Sequence, residues 1–294
     1  MYEGYPVMKG LVFADAHMHS SPKGLGATAI AEKLINKGGW FAALVMLPPW
    51  HYNVDVEPTF EMYTRAIKQH LDECKKARET GLRVSCLAGF HPAEVDRLIS
   101  MGLSPEDTLN LGLKVIEYVA DLCKHGLLDG IGEVGRQHYK TMPERVAIAS
   151  AITTRALELA RDYNCIIHLH LENAGPATVD TMTKLVELVS IPRTSILFHH
   201  ASIKVAEYAT RNGYWATIAG KKELMRRAFE RMSGTSIMIE SDYIDDPKRP
   251  CVSSFPWEII DRQLELLKEG LVDEETLHKI NIDNIVKFYR IEPP

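Results

Sequence analysis

The strongest constraint on the fold is a repeated alternation: short apolar runs give way to longer amphipathic ones about eight times along the chain. The short runs are 11–16, 41–47, 83–88, 128–134, 165–170, 195–200, 215–219 and 236–241. They are apolar on both parities, as strands buried on both faces must be, and no hairpin signal joins them. Helical patterns fill the intervals, at 60–80, 105–125, 143–163, 177–190 and 221–233, and one more follows the last strand at 257–269. Ser104 before Pro105, and Thr141 ahead of Pro143 and Glu144, supply helix-starting chemistry. Strand and helix in strict alternation mean a parallel sheet. Eight such units in 294 residues predict an α/β fold, a (β/α)8 TIM barrel, spanning 1–294 as a single domain. Neither a GxGxxG nor a Walker loop follows the first strand, which disfavours a nucleotide-binding doubly wound sheet.

Composition narrows the function classes. A net charge of -5 with 25% charged residues is that of an ordinary globular chain, and it lacks the basic excess of a nucleic-acid coating protein. The longest apolar stretch, 40–47, is far too short to span a bilayer, and the N-terminus shows no signal-peptide pattern. A cytoplasmic location without membrane contact is the expectation. The five cysteines form no CxxC pair or zinc-knuckle spacing and are expected to be reduced and mostly buried. The twelve histidines carry the chemical information, because neutral imidazole is the commonest metal ligand.

In a (β/α)8 barrel the active site lies at the C-terminal ends of the strands. The first strand closes on Asp15-Ala-His17-Met-His19, two histidines whose spacing points both to one side of an extended chain. The fourth closes on Gly-Ile-Gly-Glu133-Val-Gly, the fifth on His168-Leu-His170, the sixth on His199-His200, and the eighth on Glu240-Ser-Asp242. His, His, Glu, His, His and Asp thus fall on five strand mouths. Such a set can hold two divalent ions, with Glu133 the natural bridge because a carboxylate has two oxygens. Ions about 3.5 to 4 Å apart activate a shared water as hydroxide near neutral pH, and hydrolysis follows.

These residues resemble the TatD-like metal-dependent hydrolases of the amidohydrolase superfamily, most closely their archaeal TatD-related branch. The matching segments are DAHMH at 15–19, GFHP at 89–92, GIGEVG at 130–135, IIHLHLEN at 166–173, HHAS at 199–202, GYWA at 213–216, ESD at 240–242 and NIVKFY at 284–289. The resemblance implies that His17, His19 and Asp242 hold one ion, that Glu133 bridges, and that His168 with His200 holds the second. His199 is the alternative to His200. It further implies a proton-carrying role for Asp242, catalysis by Asp242 and Glu133, and substrate contact by His91.

Two segments depart from the TatD nucleases. Their glutamate motif commonly continues as GLDY, whereas this chain reads GRQHY at 135–139. They also usually carry HxR after the fifth strand, where this chain has His168-Leu-His170. Arg136 is the candidate for the missing cation, and His170 and His51 are further candidate substrate contacts. His138 is a weaker one, while His70, His125 and His278 read as solvated or capping residues on helices.

The expected cofactor is a pair of divalent ions, zinc first, with manganese, nickel, iron, cobalt and magnesium as alternatives. The expected substrate is a small-molecule or nucleotide phosphoester, with DNA ends within range; oligomeric state stays open. The rival readings are a lactonase or amidase using the same metals, a polymerase-and-histidinol-phosphatase barrel of seven strands, and a non-catalytic metal-binding barrel.

Overall fold

The computed structural model describes residues 10–232, 235–246, 248 and 254–294. Eight parallel strands lie in sequence order in one sheet. They are Phe13–Met18 (β1), Gly39–Val45 (β2), Arg83–Ala88 (β3), Gly130–Gly135 (β4), Ile166–His170 (β5), Ile196–Phe198 (β6), Trp215–Ala219 (β7) and Ile237–Glu240 (β8). Ala27–Asn36 (α1), Phe60–Glu79 (α2), Pro92–Ser100 (α3), Pro105–Lys124 (α4), Pro143–Asp162 (α5), Pro176–Val189 (α6), Ile203–Arg211 (α7) and Lys222–Met232 (α8) connect them. Pro256–Lys268 (α9), Glu274–His278 (α10) and Asn284–Tyr289 (α11) follow β8.

The sheet closes between β8 and β1. Beyond β8, the Asp242 N–H donates to the His17 carbonyl at 3.0 Å, and the His19 N–H donates to the Tyr243 carbonyl at 2.9 Å. Asp15 Oδ1 reinforces this closure by accepting the Ser241 N–H at 2.9 Å. The fold is therefore the (β/α)8 TIM barrel that the alternation predicts.

The N-terminal end of the barrel is plugged. Ile282, Ile285, Phe288 and Tyr289 pack into the barrel interior with Phe41, Leu197 and Trp215. Asn281 fastens this plug: its Oδ1 accepts the Ala14 N–H at 3.1 Å, its Nδ2 donates to Gln263 and Leu277, and its carbonyl accepts from Trp40 Nε1 at 2.9 Å. A buried amide with all its groups paired ties β1, β2 and α9 to the plug.

Several sequence expectations change in detail. The first strand starts two residues later and runs on through His17, and β6 has only three residues. The short helices α1, α3 and α7 were not expected; they lie where the periodicity is too brief to register. Ser104 caps α4 by accepting the Asp107 N–H at 3.0 Å. Thr141 does not cap α5, whose cap is Met142, and its hydroxyl instead donates to Asp96.

The cysteines are corrected too: Cys74 pairs with Cys86 and Cys123 with Cys165 in disulfides, each joining a helix to a strand or strand start. Cys251 lies outside the described residues. His70 is fully buried rather than solvated, with its Nδ1 3.2 Å from the Tyr52 hydroxyl. Among the described residues no helix is long and apolar enough to cross a membrane.

Replacing Asn281 by alanine strands the Ala14 N–H and the Gln263 amide in the core. At about 1 to 3 kcal/mol per orphaned group, the expected loss of stability is roughly 2 to 6 kcal/mol, read as a lower midpoint in urea unfolding with unchanged slope.

Candidate metal centre

The site is built around Glu133, at the C-terminal end of β4. Glycines let the carboxylate stand there: a Cβ at Gly89, on the neighbouring strand end, would overlap the Glu133 carbonyl. Gly135 has φ +152° and lies against the His170 backbone, where a side chain has no room.

The two carboxylate oxygens face different imidazoles. Oε1 lies 3.4 Å from His17 Nε2 and 3.5 Å from His19 Nε2. Oε2 lies 2.7 Å from His170 Nδ1, 3.3 Å from His199 Nε2 and 3.7 Å from His91 Nε2. Asp242 Oδ1 joins the first group at 3.6 Å from His19 Nε2, and His200 Nε2 joins the second at 3.2 Å from His170 Nδ1. Both His200 and Asp242 hold positive φ, at 40° and 50°, a backbone region that non-glycine residues seldom occupy.

Hydrogen bonds fix which nitrogen of each ring is free. The His19 Nδ1–H donates to the Val45 carbonyl at 2.8 Å, leaving the Nε2 lone pair aimed at Glu133 and Asp242. A longer relay sets His17. The Tyr289 hydroxyl donates to the Ala16 carbonyl at 2.5 Å, so its oxygen accepts from His168 Nε2 at 3.2 Å. His168 Nδ1 then accepts from His17 Nδ1 at 3.0 Å, and His17 Nε2 is left as a buried lone pair with no hydrogen-bond partner.

His168 is thus corrected from its expected ligand position. Both its nitrogens are engaged, one layer below the site, and His170 stands beside Glu133 in its place.

His199 Nδ1 donates to the buried Glu240 carboxylate at 2.8 Å, the arrangement that orients many metal-binding or charged imidazoles. The sequence could not separate His199 from His200. The structure brings in both, His199 between two carboxylates and His200 against His170.

Charge follows burial and neighbours. Burial brings His17 and His200 down to about 3 and His170 to about 4, with surrounding histidines adding to the effect at each. Their rings are neutral, as ligands require. His199 moves up: burial opposes its charge, but Glu240 and Glu133 outweigh burial. Burial alone would raise Glu133, yet the adjoining His199, His91 and His17 hold it well below the usual carboxylate range. Asp242 is likewise held low, burial being overcome by His19 and His199.

Unpartnered buried nitrogens on His17 and His170, next to ionised carboxylates, fit hard-to-borderline divalent cations. The donor set contains no thiolate.

The other expected residues take different places. His91 caps α3: its Nδ1 accepts the Ala93 N–H at 3.0 Å, so the neutral ring carries its proton on Nε2 and presents a donor toward Glu133. Arg136 is not a free cation, because its guanidinium forks onto Glu172 at 2.7 and 3.0 Å and also donates to Thr181. That correction has a physical cause in the bidentate pair. His51 lines a separate pocket of about 410 Å³ with Lys23, Trp50 and Lys248.

The profile of the family described as TatD related DNase matches residues 14–290. The chain belongs to the TatD-related family. An uncharacterized protein of Methanocaldococcus jannaschii is 28% identical over 97% of this chain and 98% of its own. The solved TatD-like protein of Archaeoglobus fulgidus is 17% identical, with a TM-score of 0.63 over 95% of this chain and 100% of that one. The Escherichia coli TatD homolog YJJV gives 14% and 0.68, covering 95% and 98%. A variant of a Deinococcus radiodurans phosphotriesterase-like lactonase gives 14% and 0.59, covering 95% of each chain. At these identities the solved structures speak for the fold. TatD membership together with the clustered histidines and carboxylates supports a metal-dependent hydrolase.

Two predictions follow from the hydrogen bonds beneath the site. Tyr289→Phe removes the acceptor that orients His168 and through it His17; metal affinity measured by chelator competition should fall about 10- to 100-fold with the fold intact. Glu94, buried beneath His91 and accepting its N–H at 2.7 Å, is pushed by burial from 4.5 up to about 8. A raised carboxyl favours the folded state fully below pH 4.5 and loses that contribution as pH climbs toward 8. Comparing wild type with Glu94→Gln in urea should show a stability difference that changes across this window, at a slope no steeper than about 1.4 kcal/mol per pH unit.

Proposed function

We propose that this protein hydrolyses phosphoesters at a binuclear centre bridged by Glu133. The carrying observation is that Glu133 turns one oxygen to His17 and His19 and the other to His170. The first position is then His17, His19, Glu133 and Asp242; the second is Glu133, His170 and His200. Divalent ions held by these residues would supply Lewis acidity toward water and toward the substrate's oxygens.

The chain's own residues supply the rest. Asp242, kept ionised beside His19, is the acceptor for the proton of the attacking water and returns it to the leaving group. Its backbone N–H is tied to the His17 carbonyl, so this base and the first ligand move as one unit. His91 points an Nε2 donor into the site, suited to an oxygen of the bound ester. His199 stays fixed between Glu240 and Glu133 and keeps positive charge beside the bridge.

A second reading, cleavage of a lactone or amide with the same donors, gains support from Arg136. With its guanidinium spent on Glu172, that residue does not offer the phosphate-facing cation expected of a nuclease. The deciding experiment is turnover of bis-p-nitrophenyl phosphate, an aliphatic lactone and an N-acyl amide by metal-loaded protein. Phosphodiester turnover that drops about 100-fold or more in Glu133→Gln is expected. Inert phosphoesters with a hydrolysed lactone would transfer the assignment to the second reading, and activity unchanged in Glu133→Gln would remove Glu133 from the chemistry.

A further inference from the structure

His138 has no part in the hydrolytic scheme above, yet it converges on the site. Its ring centre lies 4.7 Å from that of His170 and 5.2 Å from that of His200, and the three residues can each turn a nitrogen within 4.8 Å of the others'. Ligand atoms around one four-coordinate ion, bound at about 2.0 to 2.1 Å, stand roughly 3.4 Å apart, so this spacing needs only small side-chain rotation. His170 contributes Nδ1, which faces both Glu133 Oε2 at 2.7 Å and His200 Nε2 at 3.2 Å.

The loop between β4 and α5 that carries His138 is anchored on both sides of it. Gln137 Nε2 donates to Asp96 Oδ2 at 2.9 Å, and the Tyr139 hydroxyl donates to the same oxygen at 3.0 Å. Thr141 and Arg145 complete the shell around Asp96 through its other oxygen. One carboxylate on α3 therefore holds the residues flanking His138, and the intervening ring is held over the barrel mouth.

We propose that His138 is a ligand of the second metal position, forming with His170 and His200 a three-imidazole set that meets Glu133 at the rim. The inference rests on the binuclear reading above and deepens it. Glu133 and three imidazoles fill four coordination places, while the exposed position of His138 lets that one ligand yield to an incoming substrate oxygen. His138 would then retain the ion in the resting protein.

The test is titration of metal-free, full-length protein with Zn²⁺ against a chelating dye, together with Co²⁺ visible absorption. The unaltered protein is expected to take up two equivalents. His138→Ala should keep the affinity of one and weaken the other at least about tenfold, with weaker Co²⁺ bands from that position. His138→Cys, which restores a donor, should recover most of the second affinity.

Equal affinities and spectra in His138→Ala and unaltered protein would overturn the proposal while leaving the binuclear reading intact. So would a His138→Cys protein as weak as His138→Ala, because loss of loop geometry rather than of a donor would then explain the effect. Uptake of one equivalent or none by the unaltered protein would overturn both.

Discussion

Everything at the mouth of this barrel is arranged around one buried negative charge. An isolated carboxylate excluded from water is costly and would ordinarily take a proton instead. Glu133 escapes that outcome because five imidazoles from three strand ends and the cap of α3 close on it within 4 Å. The dependence is mutual. The rings crowd together closely enough to repel one another when charged, and His17 stacks on His199 at 3.7 Å between centres. Neutral rings at His17, His91 and His170 relieve that conflict, while His199 carries its charge between Glu133 and Glu240. The glycines at 89 and 135 and the closure of β8 onto β1 exist at the positions where this cluster would otherwise not fit.

Much of this was legible from the chain. The alternation that gives eight strands is a consequence of burial on both faces, and strand mouths are where such barrels keep their chemistry. What the sequence could not supply was depth. His168 and His170 share a parity and therefore a face, so period-two reasoning treats them alike. Only packing shows that His168 sits one layer down, between His17 and Tyr289. The adjacent pair 199 and 200 poses the opposite problem: alternation would send one ring away from the site, but a left-handed backbone at His200 returns it to the rim. Arg136 and Glu172 lie on loops 36 residues apart, and nothing local forecasts their pairing.

Residues that read as solvated or generic also turned out to carry structure. His70 falls on a helix, yet the face it occupies packs onto the sheet beside Tyr52 and the Cys74–Cys86 disulfide. His91 presents a motif histidine whose ring doubles as a helix cap, and the cap decides which nitrogen carries the proton. Aspartates show the same economy. Asp96 and Asp245 each gather several donors from neighbouring loops, Asp245 accepting from the backbone of Ser21, Leu25 and Gly26, so the mouth is held by carboxylates that do no chemistry.

The relay from Tyr289 to His17 also bears on how the molecule comes into being. Residue 17 leaves the ribosome long before residue 289, and until the later segment docks, nothing selects the tautomer of the first ligand. A growing chain with every strand already made would still present an imidazole free to turn its proton either way. The orientation of His17 toward Glu133 is therefore completed only when the opposite end of the barrel closes.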